Sequence, residues 1–297
     1  MVEPISWRVR GGVLSTQDHS LVMGILNTTP DSFSDGSRHD STAAAVAAGL
    51  AMWRDGADIV DVGGESTRPG ATSVETPIEV ERTVPVVAAL CAEGVTVSVD
   101  TRKSDVAAQA IDAGAVIVND VSGLGDPEMA AVCARAGVGV VVMHMLGTPE
   151  TMQDDPRYDH VVSDVEAYIL ERTRYAETAG VAADALCIDP GIGFGKTFTD
   201  NLELLANLRV IAGAGYPVLV GASRKGFLGE ITSAAGHTTT PRERDYATAA
   251  TTALAIANGA AVIRAHNVPA TLQAARTADA IVRAAHVDQT RGGLWPG

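Results

Sequence analysis

The chain is predicted to fold as a single α/β domain, a (β/α)8 TIM barrel, and three observations support this prediction. Eight short apolar segments recur along the sequence, at 21–27, 58–64, 96–101, 116–122, 139–145, 185–191, 217–223 and 261–267. Stretches with helical periodicity separate these segments, and each segment runs into a polar or glycine-bearing end. The length of 297 residues is close to the roughly 250 residues typical of such barrels. We assign the barrel to residues 1–285 and expect a disordered tail at 286–297, where Gly, Pro, Gln and charged residues are mixed.

The strand segments are near-continuous apolar runs, such as Val140-Val141-Val142, which is the pattern of parallel strands buried on both faces. Between the strands, residues 42–55 and 246–258 show long Ala-rich helical periodicity, and Gly259 lies just past the end of the second helix. The main rival architecture is a doubly wound sheet. Eight comparable strand–helix units without a separate end domain favour closure into a barrel.

The composition restricts the class of protein. The formal net charge of −14 argues against a nucleic-acid-binding protein, which needs a concentrated basic surface. Cys91, Cys133 and Cys187 are widely spaced in apolar surroundings, which indicates reduced thiols and a cytoplasmic location rather than disulfides. The N-terminus lacks the apolar region of a signal peptide, and there is no uncharged apolar run of about 18 residues. We therefore expect neither secretion nor a membrane span.

The residues that follow the predicted strands include most of the side chains able to do chemistry. In a barrel the carboxyl ends of the strands meet at one face, where the active site lies. The alternative is that these residues only cap the following helices, but capping would not gather so many different functional groups at one face. The residues at these ends are Asn27, Glu65, Asp100, Asn119, His144, Asp189, Lys225 and His266.

Asp100, Asn119 and Asp189 lie at the ends of three different strands, so they can converge on one small polar ring. A buried carboxylate matches a ring edge with two parallel N–H donors, as in an aminopyrimidinone, and an amide complements the remaining edge atoms. Met143 is interpreted as an apolar wall. The alternative is a set of structural hydrogen bonds at the top of the barrel, although unpaired buried carboxylates would be costly in that role.

Two of the remaining strand ends indicate an anion site. Ser223-Arg224-Lys225 ends the seventh strand, where barrels commonly bind phosphate. Arg264 and His266 end the eighth strand and, by alternation, share one side of it, so they can bind one diphosphate together. The alternative for His266 is a polar side chain that is merely hydrogen-bonded within the protein.

The loop after the first predicted strand, 27–36, is interpreted as a mobile lid. Asn27 can offer a neutral oxygen to Mg²⁺, and Asp31 or Asp35 can offset positive charge on a reacting carbon. An Asx-rich turn directed by Pro30 explains this segment equally well.

The loop after the second predicted strand, 63–70, combines glycines that permit close backbone approach with Arg68, which suits a carboxylate or a phosphate. Arg68 could instead be an ordinary surface charge. Its place between Thr67 and Pro69 at the catalytic face favours contact with a ligand or a lid.

These motifs resemble those of the dihydropteroate synthase family, and the resemblance extends over residues 21–284. The family joins para-aminobenzoate to 6-hydroxymethyl-7,8-dihydropterin diphosphate and releases 7,8-dihydropteroate and diphosphate. The motifs that carry the resemblance are the 27–36 lid, the 61–70 segment, Asp100, Asn119-Asp120, 189–194, Ser223-Arg224-Lys225 and Arg264-Ala265-His266.

The resemblance implies a role for each matching position. Asp100, Asn119, Met143, Asp189 and Lys225 would hold the pterin, while Asn27, Arg264 and His266 would hold the diphosphate, with Mg²⁺ bridging Asn27 to it. Phe33, Thr67, Arg68, Pro69, Phe194 and Lys225 would shape the para-aminobenzoate pocket. The family also implies a homodimer formed through the outer helices of the barrel.

The residue types fit an early, dissociative loss of diphosphate, since no covalent nucleophile is evident. Arg264, His266 and Mg²⁺ would stabilise the leaving group, and Asp35 is the best candidate to stabilise the developing cation, with Lys225 the fourth catalytic candidate.

The chain departs from the family pattern at two positions. Gly226 stands where a serine that contacts the para-aminobenzoate carboxylate is common, and Asn267 stands where an aspartate is frequent. Two alternative functions remain open. A pterin-binding methyltransferase-type barrel would not need the Arg264 and His266 pair, and a non-catalytic paralogue would bind pterins without turnover.

Overall fold

The computed structural model describes residues 5–29, 38–234 and 238–290, and an eight-stranded parallel sheet at its centre confirms the predicted barrel. Neighbouring strands in this sheet follow the order 186–189, 139–143, 117–120, 97–100, 59–63, 21–27, 262–265 and 219–220, and a parallel bridge between Ile188 and Val218 brings the two edges together. The eight strands of this parallel sheet lie within the eight apolar segments that were predicted as strands. The strands of the chain are β1 Ser6–Val9, β2 Gly12–Ser15, β3 Leu21–Asn27, β4 Ile59–Gly63, β5 Val97–Asp100, β6 Ile117–Asp120, β7 Gly139–Met143, β8 Leu186–Asp189, β9 Leu219–Val220 and β10 Val262–Ala265.

Helices follow the barrel strands and cover the sheet from outside. The two helices predicted from Ala-rich periodicity are confirmed at Arg38–Arg54 and Asp245–Ala257, and Gly259, with φ +103°, follows the end of the second helix. The helices are α1 Arg38–Arg54, α2 Thr76–Ala92, α3 Ser104–Asp112, α4 Met129–Ala136, α5 Val161–Thr178, α6 Phe198–Ala206, α7 Leu208–Ala212, α8 Gly226–Thr232, α9 Asp245–Ala257 and α10 Val268–Thr290.

The last helix, α10, extends to Thr290 and so includes the first five residues of the segment predicted as a tail. The helix therefore runs past residue 285, where the boundary of the barrel was placed from composition. The rest of the predicted tail, 291–297, lies outside the described residues.

The strands are buried on both faces, as the apolar runs predict. Val60, Val62 and Val97 pack outward against the helices, in a cluster that includes Leu90 of α2. At the amino ends of the strands, the cluster inside the barrel contains Met23, Ile59, Ile117, Val141, Cys187 and Leu219. All three cysteines are free, and burial raises the pKa of each thiol.

A two-stranded antiparallel hairpin of β1 and β2 lies at the amino ends of the barrel strands, and the sequence analysis missed it. Gly11, with φ +81°, allows the tight turn between the two strands. Trp7 is 1% exposed, packs with the cluster inside the barrel, and donates from Nε1 to the carbonyl oxygen of Ala185 at 2.8 Å. The alternation of Trp7 and Val9 with arginines before two glycines was the available signal.

Within the described residues, no helix is both long enough and apolar enough to cross a membrane.

Candidate active site

The carboxyl ends of the barrel strands open into a cavity of about 840 Å³. Its wall brings together most of the predicted site residues. Asn119, Met143 and Asp189 lie beneath it, no more than 5% exposed. Two further predicted residues, Phe33 and Asp35, lie outside the described residues. The predicted residues that line the cavity are Asn27, Thr67, Arg68, Pro69, Asp100, Phe194, Lys225, Gly226, Arg264 and His266.

The floor of the cavity is a hydrogen-bonded network around Arg264. Its Nε donates to Asp61 Oδ2 at 2.7 Å and its Nη2 donates to Asp100 Oδ2 at 2.6 Å. Asn119 Nδ2 donates to the same Asp61 oxygen at 2.9 Å. Arg264, predicted as a diphosphate ligand and a catalytic residue, therefore also holds the carboxylates of the floor in place.

Asp61 was given no role of its own by the sequence analysis, although a signal was present. It is a lone carboxylate inside the apolar run of β4 and is fully buried. A charged side chain on a strand buried on both faces is costly unless it is paired, and such a residue is therefore a candidate for function.

Two carboxylate oxygens of this network remain unsatisfied. Asp61 Oδ1 and Asp100 Oδ1 are buried and have no hydrogen-bond partner among the described residues. Burial raises the pKa of Asp100 to about 7, with Arg264 opposing the shift and Asp61 adding to it. A ligand that brings N–H donors to this floor would supply the missing hydrogen bonds.

Asp189 ends β8 beside this network. Its Oδ1 accepts a hydrogen bond from Gly191 N at 2.7 Å. Gly191 has φ +66°, and a Cβ at this position would clash with the carbonyl oxygen of His144. Burial raises the pKa of Asp189 to about 6, against the effects of the Gly191 N–H, Lys225 and Lys196.

Lys225 reaches into the cavity from the start of α8. Its Nζ lies 3.7 Å from the centroid of the Phe194 ring, a cation–π contact. Burial lowers the pKa of Lys225 to about 7, and the negative charge of Asp189 opposes this shift. The two side chains together form the wall between the floor and the outer part of the cavity.

The turn before Lys225 is strained and firmly held. Arg224 has φ +60°, which is unfavourable for a residue with a Cβ. Its guanidinium makes two hydrogen bonds to Asp245, at 2.7 and 2.9 Å. Asn267 Nδ2 also donates to Asp245, at 2.8 Å, and Asn267 Oδ1 accepts from the N–H of Ala270 in the first turn of α10. The neutral side chain of Asn267 thus forms hydrogen bonds both to the carboxylate that holds the Arg224 turn and to the first turn of α10.

His266 is positioned as a neutral donor. The backbone N–H of His266 donates to Ser223 Oγ at 3.2 Å, and the same Oγ lies 3.0 Å from His266 Nδ1. The serine oxygen can accept from the backbone N–H and also donate its hydroxyl proton to Nδ1; in that arrangement Nε2 carries the ring proton and can donate it to a ligand. Burial, Arg224 and Arg264 lower the pKa of His266 to about 3.

The loop that carries Thr67, Arg68 and Pro69 is fixed at its base by Glu65. This carboxylate accepts hydrogen bonds from Arg102, from Lys103 at 2.7 Å, and from the loop's own Val74 N at 2.8 Å. Burial alone would raise the pKa of Glu65, but these hydrogen bonds outweigh it and lower the pKa to about 2. Glu65 is therefore a structural anchor.

No group of three or more His, Cys, Asp or Glu side chains in the described part of the chain could hold a metal by itself. Mg²⁺ commonly binds one or two protein oxygens and completes its coordination with substrate phosphates and water. Asn27, at the end of β3 on the cavity wall, is compatible with that kind of site.

A parallel barrel with buried carboxylates and an amide beneath its carboxyl-end cavity defines a pterin-binding enzyme, and residues 23–266 match the family described as pterin binding enzyme. The dihydropteroate synthase of Mycobacterium leprae is 47% identical over 89% of this chain and 94% of its own length. The chain therefore belongs to the dihydropteroate synthase family, whose members are transferases of folate synthesis.

Solved structures agree with this assignment. The Xanthomonas albilineans dihydropteroate synthase with 4-aminobenzoic acid has a TM-score of 0.86 and 43% identity, covering 94% of this chain and 98% of that one. The same enzyme in complex with 7,8-dihydropteroate has a TM-score of 0.83 and 40% identity, covering 93% and 98%.

Proposed function

We propose that this chain condenses 6-hydroxymethyl-7,8-dihydropterin diphosphate with para-aminobenzoate to give 7,8-dihydropteroate and diphosphate. The observation that carries the proposal is the pair of unsatisfied carboxylate oxygens, on Asp61 and Asp100, beneath a cavity that also presents Arg264 and His266. The complexes of the Xanthomonas relative with 4-aminobenzoic acid and with 7,8-dihydropteroate support the same substrates here.

The pterin lies on the floor of the cavity in this proposal. Asp189 accepts the two parallel N–H groups of the aminopyrimidinone edge, and Asp100 and Asn119 complement its other edge atoms. Met143, 1% exposed, packs against the ring from below. Lys225 donates to the ring from the wall that it shares with Phe194.

The diphosphate lies beside Asn27, Arg264 and His266. The bond between the pterin methylene carbon and the diphosphate oxygen breaks first, and the diphosphate leaves with the electron pair. His266 Nε2–H and the Arg264 guanidinium stabilise this negative charge. The aromatic amine of para-aminobenzoate then attacks the methylene carbon and loses a proton.

Asn27 would hold Mg²⁺ together with phosphate oxygens of the substrate, since Mg²⁺ prefers oxygen ligands and keeps few protein ones. When bound, the ion supplies positive charge to the leaving group.

Para-aminobenzoate binds in the outer part of the cavity, between Phe194 and the loop of Thr67, Arg68 and Pro69. A Cβ placed on Gly226, in the first turn of α8, would meet open space, so a carboxylate has room to bind beside this residue. Phe33 and Asp35 are proposed for the same closed site, as an aromatic wall and as the carboxylate that offsets the cation.

A coupled assay for diphosphate tests this function. Diphosphate release is expected with both substrates and Mg²⁺, at a rate that falls strongly when para-aminobenzoate is omitted. A methyltransferase-type barrel would release no diphosphate, and a non-catalytic paralogue would bind pterin without turnover. Either result would overturn the proposal.

We also propose a cytoplasmic homodimer formed through α9 and α10. Three large apolar side chains on these neighbouring helices are exposed, Tyr246 at 91% and Leu254 and Ile281 at 65% each. Light scattering of the purified protein is expected to give twice the chain mass, and Leu254→Glu is expected to give monomers. A monomeric parent protein would overturn the proposal.

A further inference from the structure

A single ammonium group joins the two ends of the loop after β4. Lys103 Nζ donates to Glu65 Oε2 at 2.7 Å, where the loop begins, and to the carbonyl oxygen of Val74 at 2.6 Å, where it ends. The Glu65 carboxylate also accepts from Val74 N at 2.8 Å and from Ser73 Oγ at 3.1 Å. Glu65, Ser73 and Val74 thus form the neck of the loop, with residues 66–72 between them.

The same ammonium connects the neck of the loop to α2 and to the end of β5. The third hydrogen bond of Lys103 Nζ goes to Glu79 Oε2 in α2, so all three of its donors are used. Glu79 is 1% exposed, and its Oε1 accepts from Thr101 Oγ1 at 2.6 Å. Thr101 follows Asp100 at the end of β5, and its backbone N–H donates to Asn119 O at 3.1 Å. Lys103 therefore joins the loop to a strand end that carries a residue of the cavity floor.

Close packing against α2 also fixes the start of the loop. A Cβ at Gly64 would lie 2.7 Å from Thr83 Cγ2 and 3.1 Å from the carbonyl oxygen of Glu79, so the backbone could not approach the helix this closely with a larger residue. Further along the loop, Gly70 N donates to the carbonyl oxygen of Pro149 at 2.9 Å. The loop is therefore held at its neck by packing and charge, and near its tip by a backbone hydrogen bond.

We propose that Lys103 is a positioning residue for para-aminobenzoate. Thr67, Arg68 and Pro69 lie within the loop and line the cavity, whereas Lys103 is not among the described residues that line it. The lysine acts through the neck of the loop. It fixes the position of the three lining residues, so that binding of para-aminobenzoate does not have to order them. This inference rests on the proposed para-aminobenzoate site between the loop and Phe194.

The inference is tested by kinetics, calorimetry and amide hydrogen exchange on Lys103→Met, on Lys103→Arg and on the double variant Lys103→Met with Glu79→Gln. Methionine removes the charge and the three donors at a similar length, and arginine keeps a cation that can pair with carboxylates. The double variant removes the charge without leaving Glu79 ionised and unpaired in the interior. Trp7→Phe is the matched control, because it removes a buried hydrogen bond at the opposite end of the barrel. Thermal melts report the stability of each variant.

Lys103→Met is expected to raise the KM for para-aminobenzoate about tenfold, because binding must then order residues 66–72. The kcat and the affinity for 6-hydroxymethylpterin, which lacks diphosphate, should stay within about threefold of the parent, since the cavity floor keeps its own hydrogen bonds. Amide exchange should become faster across residues 66–74 and stay unchanged across 97–101. The double variant should behave as Lys103→Met does, and Lys103→Arg should keep the KM within about threefold of the parent. Trp7→Phe should lower the melting temperature without changing the KM.

A parent-like KM in folded Lys103→Met would overturn the inference. Equal losses of affinity for the pterin and for para-aminobenzoate would also overturn it, because the lysine would then support β5 and not the loop. An equal rise of KM in Trp7→Phe would assign the effect to overall stability and overturn it as well. If Lys103→Met does not fold, the double variant takes its place with the same expected results.

Failure of the proposed function has a different signature from failure of this inference. A parent protein that releases no diphosphate would show that the proposed function is wrong. Calorimetric titration with 4-aminobenzoate then replaces the KM, and about tenfold weaker binding by Lys103→Met remains the expected result. Equal affinity of the parent and Lys103→Met for 4-aminobenzoate would overturn the inference in that case.

Discussion

The two ends of the barrel are built from the same strands but differ in the polar groups that they bury. At the amino end, Trp7 of the hairpin closes an apolar interior, and its one polar group is hydrogen-bonded to Ala185. At the carboxyl end, buried carboxylates, lysines and an arginine surround an open cavity, and two carboxylate oxygens have no hydrogen-bond partner in the part of the chain that the structure describes. The comparison teaches that stability is concentrated at the closed end, and that the open end keeps unsatisfied charge for a ligand.

The largest expected effect is at the closed end. Trp7→Ala removes a fully buried indole and is expected to lower the free energy of unfolding by about 3 to 5 kcal/mol. Because the site is at the other end, the folded enzyme should keep a kcat/KM close to that of the parent at low temperature. Urea unfolding and an activity assay at 10 to 15 °C check both expectations. If kcat/KM falls together with the free energy of unfolding, the amino end of the barrel affects activity as well as stability, which contradicts the comparison.

Arg264 is the exception at the open end, because it joins two carboxylates. Arg264→Ala leaves Asp61 and Asp100 without their cation and is expected to lower the free energy of unfolding by about 3 kcal/mol at pH 7.5. The pKa of Asp100 is already raised to about 7 and would rise further, so protonation at pH 5.5 should recover part of the loss. Urea unfolding at the two pH values measures this. If the free energy of unfolding falls by the same amount at both pH values, the loss of stability does not come from the ionised Asp100 carboxylate.

Substitution of His266 tests the diphosphate site more selectively than substitution of Arg264 does. His266→Ala removes the Nε2–H donor without exposing a buried ion pair. It is expected to weaken binding of the diphosphate substrate about tenfold while leaving the affinity for a pterin without diphosphate nearly unchanged. Calorimetry with both ligands makes the comparison. Equal losses for the two ligands would show that His266 holds the barrel's shape instead.

The smallest expected effect is a gain at Gly226. Apart from the adjoining backbone, no atom of the described residues lies within 4 Å of a Cβ placed at this position, so serine fits without a clash. Gly226→Ser adds a hydroxyl near the proposed carboxylate site and is expected to lower the KM for para-aminobenzoate by the equivalent of about 0.5 to 1.5 kcal/mol. Steady-state kinetics at saturating pterin diphosphate measure this. An unchanged or higher KM in the folded variant would point to Arg68 as the group that binds the carboxylate.

The barrel strands could be predicted because each is buried on both faces and so reads as an unbroken apolar run. The convergence of Asp100, Asn119 and Asp189 followed from the parallel sheet alone. The contacts between distant segments of the chain could not be predicted from the sequence. Arg264 meets Asp61 and Asp100 because β3 lies between β10 and β4 in the closed sheet and β5 lies next to β4.

The hairpin was missed, and the departure at Asn267 could not be interpreted, for a related reason. Strands of four residues carry too few alternating positions to stand out, and the burial of Trp7 depends on the barrel it closes. Asn267 is explained by Asp245, which lies 22 residues earlier and pairs with Arg224. Each of these features depends on contacts between residues far apart in the chain, which a local sequence pattern does not show.

The most direct test of the account compares stability and binding in one variant, Asp189→Asn. Asparagine keeps the shape and can still accept from Gly191 N–H, but it loses the buried charge. Urea unfolding and pterin calorimetry on the same preparation are expected to show a free energy of unfolding equal to or above the parent's, and pterin binding weaker by about 2 to 4 kcal/mol. Pterin affinity within twofold of the parent, or a loss of stability as large as the loss of binding, would contradict the claim that this end of the barrel is built for its ligand.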